Sequence, residues 1–366
     1  MLTIVSIFAY SKCYASESDE NEINNRNEKY GVTDFINKSQ EYSDDLDLNS
    51  TYKNALKGKF DNNKFIKIIL KLFDKNLKDS IKSISAVLLV VIINAILKAI
   101  SENLGNKSVS KCAYYVQYIL IVTILSKNIS QILIDVKDSI QQLNDFTNTL
   151  IPLLTTLLIA SGNVISSNTI EPILLLITNI ISNFLVNVLL PVILCALALD
   201  IVSKISDNVQ IDRLSKYMKK SSTWILTIII GTFISMASLE TGLTSSIDKT
   251  TKNIGKQVIS TAVPVVGSVV GNAIDTISGY SNIIKNATGF VGIIVILSIC
   301  FKPIINLACI TITYYLGVCL AEPICDKKIV DLIESFADTF KILLAILVSI
   351  TVLIIIGVSI VIKISS

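Results

Sequence analysis

Uncharged hydrophobic runs dominate the chain after residue 80 and predict a series of membrane-spanning helices. The runs cover residues 83–97, 112–126, 146–170, 172–199, 221–239, 257–274, 286–301, 303–321 and 342–362. A spanning helix needs about 20 mostly apolar residues, and lysines near its ends can reach the headgroups. Straightforward spans are predicted at 81–100, 112–134, 224–239 and 340–362. The pattern therefore predicts an all-α, polytopic membrane protein with about seven to eight spans, in a transmembrane domain covering 81–366.

Four of the apolar stretches contain helix-breaking residues. The runs 172–199 and 286–321 contain Pro191 and Pro303, which predict either a kinked span or a tight pair of helices in each. In 146–170 the apolar core is only about 16 Å long as a helix, and the pattern then breaks at 161–163. The stretch 257–279 is similarly short and rich in glycine. The last two therefore predict broken or re-entrant helices, which lipid tolerates only where protein or water shelters them.

An internal repeat is also predicted. Pro264 follows Pro152 by 112 residues, and Pro303 follows Pro191 by the same 112 residues. The alternative is that many apolar runs align by chance at some offset. The shift predicts two parallel repeat units, 112–223 and 224–335, followed by a final span that we expect to be peripheral. Candidate pathway or helix-break residues are Pro152, Gly162, Pro191, Pro264, Gly271 and Pro303.

The first 80 residues differ from the rest. Residues 1–15 predict a secretory signal peptide cleaved after Ala15, and the alternative is an uncleaved anchor. Residues 16–60 carry ten acidic and six basic side chains, and they predict a flexible or partly helical extracytoplasmic segment. Residues 61–80 have apolar side chains at helical spacing beside lysines. They predict an amphipathic helix that lies either on the lipid headgroups or against the protein's own core.

Charges between the runs predict the orientation. Loop 204–222 is basic and is predicted to be cytoplasmic, as is 101–111, whereas the acidic segments 135–145 and 321–339 are predicted to be extracytoplasmic. This order agrees with an extracytoplasmic mature N-terminus.

Composition narrows the function. Only 17% of residues are charged and the mean hydropathy is +0.63, values typical of an integral membrane protein. The chain has no His, its seven Cys show no C-x-x-C spacing, and no phosphate-binding loop motif occurs. We therefore predict no catalytic, metal or cofactor site. The net charge of +3 is too small to suggest nucleic-acid binding.

Some polar residues fall inside the apolar runs. Lys127 lies near the middle of its predicted span, and Glu240 could be its acidic partner. Asp200 and Lys302 lie near predicted span ends, where snorkelling is sufficient. Three asparagines recur every four residues and predict either contacts between helices or the lining of a water path; they are Asn179, Asn183 and Asn187.

The chain resembles the stage III sporulation protein AE family of endospore-forming bacteria. The likeness covers about residues 55–366 and is carried by 150–166, 171–203, 231–278 and 286–317, among them LIPLLTTLLIASGNVIS and NATGFVGIIVILSICFKPIINLACITITYYLG. The resemblance implies a subunit of a channel-like secretion complex between mother cell and forespore, located in the mother-cell membrane. It also implies as partners other stage III sporulation A membrane proteins, a cytoplasmic ATPase and a forespore-side protein. The alternative, from the repeat and broken helices alone, is an autonomous secondary transporter of a small solute.

Overall fold

The computed structural model describes residues 20–43, 46–57, 76–93, 95–96, 107–205, 211–236 and 267–364. These residues are helical apart from short turns, and they contain no strand. The predicted signal peptide, most of the predicted helix 61–80, Glu240 and Pro264 lie outside them. We number the helices α1 (Glu20–Lys29), α2 (Val32–Ser39), α3 (Leu48–Leu56), α4 (76–93), α5 (Lys107–Ala160), α6 (Val164–Phe184), α7 (Leu190–Ile205), α8 (212–236), α9 (Gly267–Ala321) and α10 (Lys327–Lys363).

Within the described residues, four helical segments are long and apolar enough to cross a membrane. They are Tyr114–Ala160, Val164–Ile205, Ser278–Ala321 and Lys327–Lys363, with 47, 42, 44 and 37 residues. At 1.5 Å per residue these segments are roughly 55–70 Å long, about twice the thickness of the hydrocarbon core. The all-α prediction is confirmed for the described residues, and the four candidate spans fit a multi-pass membrane protein.

Helix α5 continues through 135–145, so the prediction of a loop there is wrong. The helix contains no glycine, and Pro152 is its only proline. The polar residues of this stretch lie on one face, while Ile132, Val136, Ile140 and Leu143 are buried on the other. The apolar residues of 135–145 recur with the period of a helix, so this stretch forms an amphipathic helix although its polarity predicted a loop.

The predicted break at 161–163 is present. Gly162 has φ 86°, a left-handed conformation that glycine adopts without strain, and its N–H donates to the Ile159 carbonyl at 2.8 Å. The chain reverses here, so α5 and α6 form an antiparallel hairpin. Thr155 donates to the Glu171 carboxylate at 2.6 Å, and the Ser167 hydroxyl donates to the Thr155 carbonyl at 3.0 Å.

Pro191 and Pro303 lie in single, continuous helical segments rather than in helix pairs. A π-turn, Leu185–Leu189, joins α6 to α7 just before Pro191, and the Leu190 N–H donates to the Leu185 carbonyl within it. The wider turn relieves the contact between the proline ring and the preceding turn. Pro303 lies within α9 without such a turn.

The second predicted break is absent at Gly271, because α9 is helical without interruption from Gly267 to Ala321. At a shift of 112 residues the turn 161–163 corresponds to 273–275, which is helical. The two predicted repeat units therefore differ at this point. The expectation of a peripheral final helix is also wrong, since no residue of α10 between 349 and 362 is exposed.

The N-terminal segment is largely helical over its described residues, as the partly helical alternative predicted. The Gln40 amide donates to the carbonyls of Ser43 and Leu46 at 2.8 and 2.7 Å, and its oxygen accepts from the Leu48 N–H at 3.0 Å. The rings of Phe35 and Tyr42 each lie 5.7 Å from the Phe146 ring on α5. A few apolar side chains at helical spacing thus anchor a polar segment on the long helices.

The basic loop and the acidic segment lie at the same end of the bundle. Lys204 Nζ is 3.6 Å from Asp331 Oδ2, and Lys219 Nζ donates to the Ser335 carbonyl at 2.9 Å. The prediction that 204–222 and 321–339 lie on opposite sides of the membrane is therefore wrong. One ion pair, between Lys204 and Asp331, joins the two oppositely charged segments directly. We call this end the charged end, and the end with the turn 161–163 the hairpin end.

Candidate functional site

The charged end contains a buried ion pair between two helices. Asp200, near the end of α7, and Lys219, in α8, meet with Oδ2 and Nζ 2.6 Å apart. Only 5% and 10% of the two side chains are exposed. Buried charges are costly unless they are paired, so this pair fixes the position of α8 against α7.

A second basic residue links three segments beside that pair. Lys204 Nζ lies 3.2 Å from both carboxylate oxygens of Asp212 and 3.6 Å from Asp331 of α10. The hydroxyl of Ser203 donates to the Asp212 carboxylate, and this bond, with the nearby Lys204 ammonium, lowers the pKa of Asp212 below its ordinary value. The segment after α7 is thereby held against the beginning of α10.

Tyrosines of α5 complete the charged end. The Tyr114 hydroxyl donates to the Lys204 carbonyl at 3.1 Å, and the Tyr118 hydroxyl donates to the Ile201 carbonyl. Both carbonyls lie near the C-terminal end of α7, so the two tyrosines tie α5 to that end. Gln117, which lies between these tyrosines in the sequence, has a buried side chain. Its amide nitrogen and oxygen have no hydrogen-bond partner among the described residues.

Two further polar groups join the helices away from the charged end. The Asn128 amide donates to the Ser83 hydroxyl at 2.6 Å and to the Tyr314 hydroxyl at 2.8 Å, which links α4, α5 and α9. Asn179 of α6 accepts from Asn144 at 2.9 Å and donates to Asn148 at 3.0 Å, both on α5. Such bonds fix the register of neighbouring helices and have no catalytic arrangement.

The predicted polar residues separate into two groups. Asn179 contacts a neighbouring helix, as one of the two interpretations of the asparagine stripe required, whereas Asn183 and Asn187 are exposed. Lys127 is also exposed, and its predicted partner Glu240 lies outside the described residues. The structure does not bring the predicted proline and glycine positions into one group. Gly162 is at the hairpin end, whereas Pro191 and Pro303 lie about two thirds of the way along Val164–Ile205 and Gly267–Ala321.

Sequence reasoning did not predict the two ion pairs at the charged end, Asp200–Lys219 and Lys204–Asp331. We assigned Lys204 and Lys219 to a solvent loop and Asp331 to the opposite side of the membrane. The sequence signal that could have revealed these pairs was the presence of opposite charges at the ends of different apolar runs. Lys285 of α9 was also missed, although its side chain is fully buried.

The described residues include no group of three or more His, Cys, Asp or Glu side chains that could hold a metal ion. None of the six cysteines in the described part forms a disulfide. The site is thus a set of ion pairs and hydrogen bonds between helices.

Comparison with known proteins gives two matches. A family model described as stage III sporulation protein AE matches residues 46–365. A curated protein of Bacillus subtilis (strain 168), named stage III sporulation protein AE, is 25% identical over 244 residues, which are 66% of this chain and 61% of that protein. The match thus spans less than two thirds of the relative's length. No solved structure matches the chain.

Proposed function

The chain belongs to the stage III sporulation protein AE family, and from that membership we propose that it is a non-enzymatic membrane subunit of a sporulation complex joining mother cell and forespore. The supporting observation is the charged end, where four helices are tied together by buried ion pairs and tyrosine hydrogen bonds. A bundle of long apolar helices that are joined by ion pairs and hydrogen bonds suits a structural or conducting subunit. The proposed role is needed for late forespore development.

The proposed surroundings follow the same reasoning. The protein lies in the mother-cell membrane facing the forespore, and its mature N-terminus, after removal of 1–15, is extracytoplasmic. Its partners are other stage III sporulation A membrane proteins, a cytoplasmic ATPase of the same complex and a forespore-side protein. The parallel repeat and a total of seven to eight spans belong to this proposal.

The proposed pathway residues can be tested at Gly162, whose φ of 86° disfavours any side chain. Gly162→Leu is expected to reduce spore yield while the protein still inserts into the membrane. Gly231→Leu is the matched control, because nothing lies within 4 Å of an added Cβ there. Equal spore yield for both variants at equal protein level would remove Gly162 from the pathway.

The main experiment identifies what copurifies with the protein after gentle solubilisation of sporulating cells. Recovery of other stage III sporulation A membrane proteins, without solute flux by the purified protein in liposomes, is the expected result. Flux by the protein alone, with no copurifying membrane protein, would instead establish the autonomous transporter.

A further inference from the structure

We propose that the bilayer surrounds only the charged-end half of the bundle, and that the hairpin-end half stands in water on the extracytoplasmic side. The charged-end half comprises α4, α5 up to Lys127, α7, α8, α9 after Lys302 and the first half of α10. The hairpin-end half comprises the remainder, with α1–α3. The lipid surface is thus a partner for one half alone.

Helix lengths require such a division. From Lys302 to Ala321, α9 has the length of one hydrocarbon core, about 30 Å, and so does α5 from Lys107 to Lys127. Lys302 and Lys127 are both exposed. Each helix then continues beyond this lysine for at least as far again, so one bilayer cannot cover it.

The surface of the charged-end half exposes large apolar side chains on several helices. Large hydrophobic side chains are 48–70% exposed there on four helices, namely Leu89, Leu120, Trp224, Ile312 and Leu316. On a fifth helix, α7, Leu194 is 38% exposed. A continuous apolar surface of this kind is the one that lipid covers.

The surface of the hairpin-end half carries polar side chains where the helices continue. On α5 the exposed positions become Lys137, Asp138, Gln141, Gln142, Asp145 and Asn148. These recur at helical spacing over roughly 17 Å, too far for snorkelling to solvate them all from one interface.

Two apolar segments of this half, in α9 and α10, are largely enclosed by protein, whereas α6 exposes Leu176 and Ile180 at 59% each. No residue of α9 between 278 and 301 is exposed, and 61% of the most apolar window of α10 is buried, against 28% in α5. Their hydrophobicity is therefore satisfied by a protein core and does not need lipid.

Helices α1–α3 cover the same level of α9. The Ser43 and Ser298 hydroxyls are 3.3 Å apart, and the Arg26 guanidinium lies 5.6 Å from the centre of the Tyr280 ring. The outer faces of these short helices expose charges such as Asp34, Lys38 and Lys53, which hydrocarbon would not accommodate.

The exposed charges within the charged-end half do not contradict the placement. Glu334 is one turn from Asp331, at the level of the headgroups. Lys341 is exposed at intermediate depth on α10. Because side chains of a helix point towards its N-terminus, here the charged end, the Lys341 ammonium can reach the headgroups at that end.

The basic residues give the sidedness. Lys204, Arg213, Lys216, Lys219 and Lys220 concentrate at the charged end, and lysine and arginine excess marks the cytoplasmic side whatever acids accompany it. The hairpin-end half is then extracytoplasmic, together with α1–α3.

The test uses the chain's single tryptophan, Trp224, which is 70% exposed in the charged-end half. The full chain is placed in liposomes whose acyl chains carry bromine, a short-range fluorescence quencher. The comparison is Trp224→Phe combined with Leu176→Trp. Leu176 is 59% exposed on α6, roughly 42 Å along the helices from Lys204.

Wild-type fluorescence is expected to fall at least twofold in brominated lipid. The double variant Trp224→Phe with Leu316→Trp, which moves the tryptophan to a second position in the apolar surface, should show the same fall. Leu176→Trp and Gln142→Trp in the same Trp224→Phe background are expected to be insensitive to bromine and quenched by aqueous iodide added outside. Quenching of Leu176→Trp by brominated lipid to the extent of Trp224, or no lipid quenching of Trp224, would overturn the placement.

Discussion

At the scale of single residues, the carboxylate of Asp200 and the ammonium of Lys219 depend on each other because water is excluded from both. Lys219→Met leaves the Asp200 charge buried without its partner, and we expect it to lower the free energy of unfolding by about 3–5 kcal/mol. Thermal unfolding of the purified protein in detergent measures the change.

The double variant Asp200→Leu with Lys219→Met should recover most of that loss, since no unpaired charge remains. The control is Lys82→Met, which removes the exposed ion pair between Lys82 and Asp79, whose Nζ and Oδ1 are 3.9 Å apart. It should lower the free energy of unfolding by less than about 1 kcal/mol. A loss in Lys219→Met no larger than in this control would contradict a structural role for the buried pair.

Asp212 predicts how the charged end responds to acid. Its folded-state pKa is lowered from 3.8, chiefly by the Ser203 hydrogen bond. A lowered carboxyl pKa stabilises the folded state above the unfolded-state pKa, and that contribution is lost as pH falls through the folded-state pKa. The stability difference between wild type and Asp212→Asn should be constant from about pH 5 to 8 and shrink only below about pH 4. A difference that grows on acidification would contradict the assignment.

At the scale of elements, α9 packs closely against α5 at Gly292. A Cβ on Gly292 would lie 2.6 Å from a methyl carbon of Leu150, which is itself fully buried on α5. Gly292→Leu should therefore destabilise the protein by about 3 kcal/mol or more through overpacking.

Gly231→Leu on α8 is the matched change, since no atom lies within 4 Å of its added Cβ. It should be neutral or stabilise by up to about 1 kcal/mol, because leucine favours the helix more than glycine does. The amount of folded protein extracted from membranes and its thermal midpoint distinguish the two. Similar values for both variants would show that α5 and α9 do not approach so closely.

Local patterns predicted which residues are helical but not where the helices stop. The turn at 161–163 was predictable because Gly162 and two polar neighbours interrupt an apolar run. The absence of a turn at Gly271 and at 135–145 was not, because a glycine or a polar stretch ends a helix only when tertiary contacts do not continue it.

At the scale of the whole molecule, the two ends of the bundle should be distinguishable by chemical labelling. In variants that keep a single cysteine, Cys325 and Lys216→Cys should react with a membrane-impermeant thiol reagent under the same conditions, only after protoplasts are permeabilised. Gln142→Cys should react in intact protoplasts. Labelling of Cys325 and Lys216→Cys from opposite sides would contradict the contact between α10 and Lys204.

Charge alone could not have given this arrangement. The contacts of Lys204 and Lys219 join residues more than 100 positions apart, to Asp331 and Ser335, and the rule for loop charges treats each loop by itself. The fold class, the multi-pass character and the family were accessible from periodicity and sequence likeness. The candidate site was not, since it depends on which helix ends meet.

The π-turn before Pro191 has a consequence for how relatives of this chain differ in length. Such a turn contains one residue more than an α-helical turn, and here the extra residue spares the proline ring a clash with the backbone. Losing one residue between 185 and 189 would close the turn to an ordinary helix while leaving both flanking helices in register. That deletion would leave Pro191 in an ordinary helical turn, which its ring and its missing N–H disfavour, although α5 and α9 accommodate Pro152 and Pro303 without a π-turn. Across an alignment, a one-residue gap here should therefore be less frequent in relatives that have proline at this position.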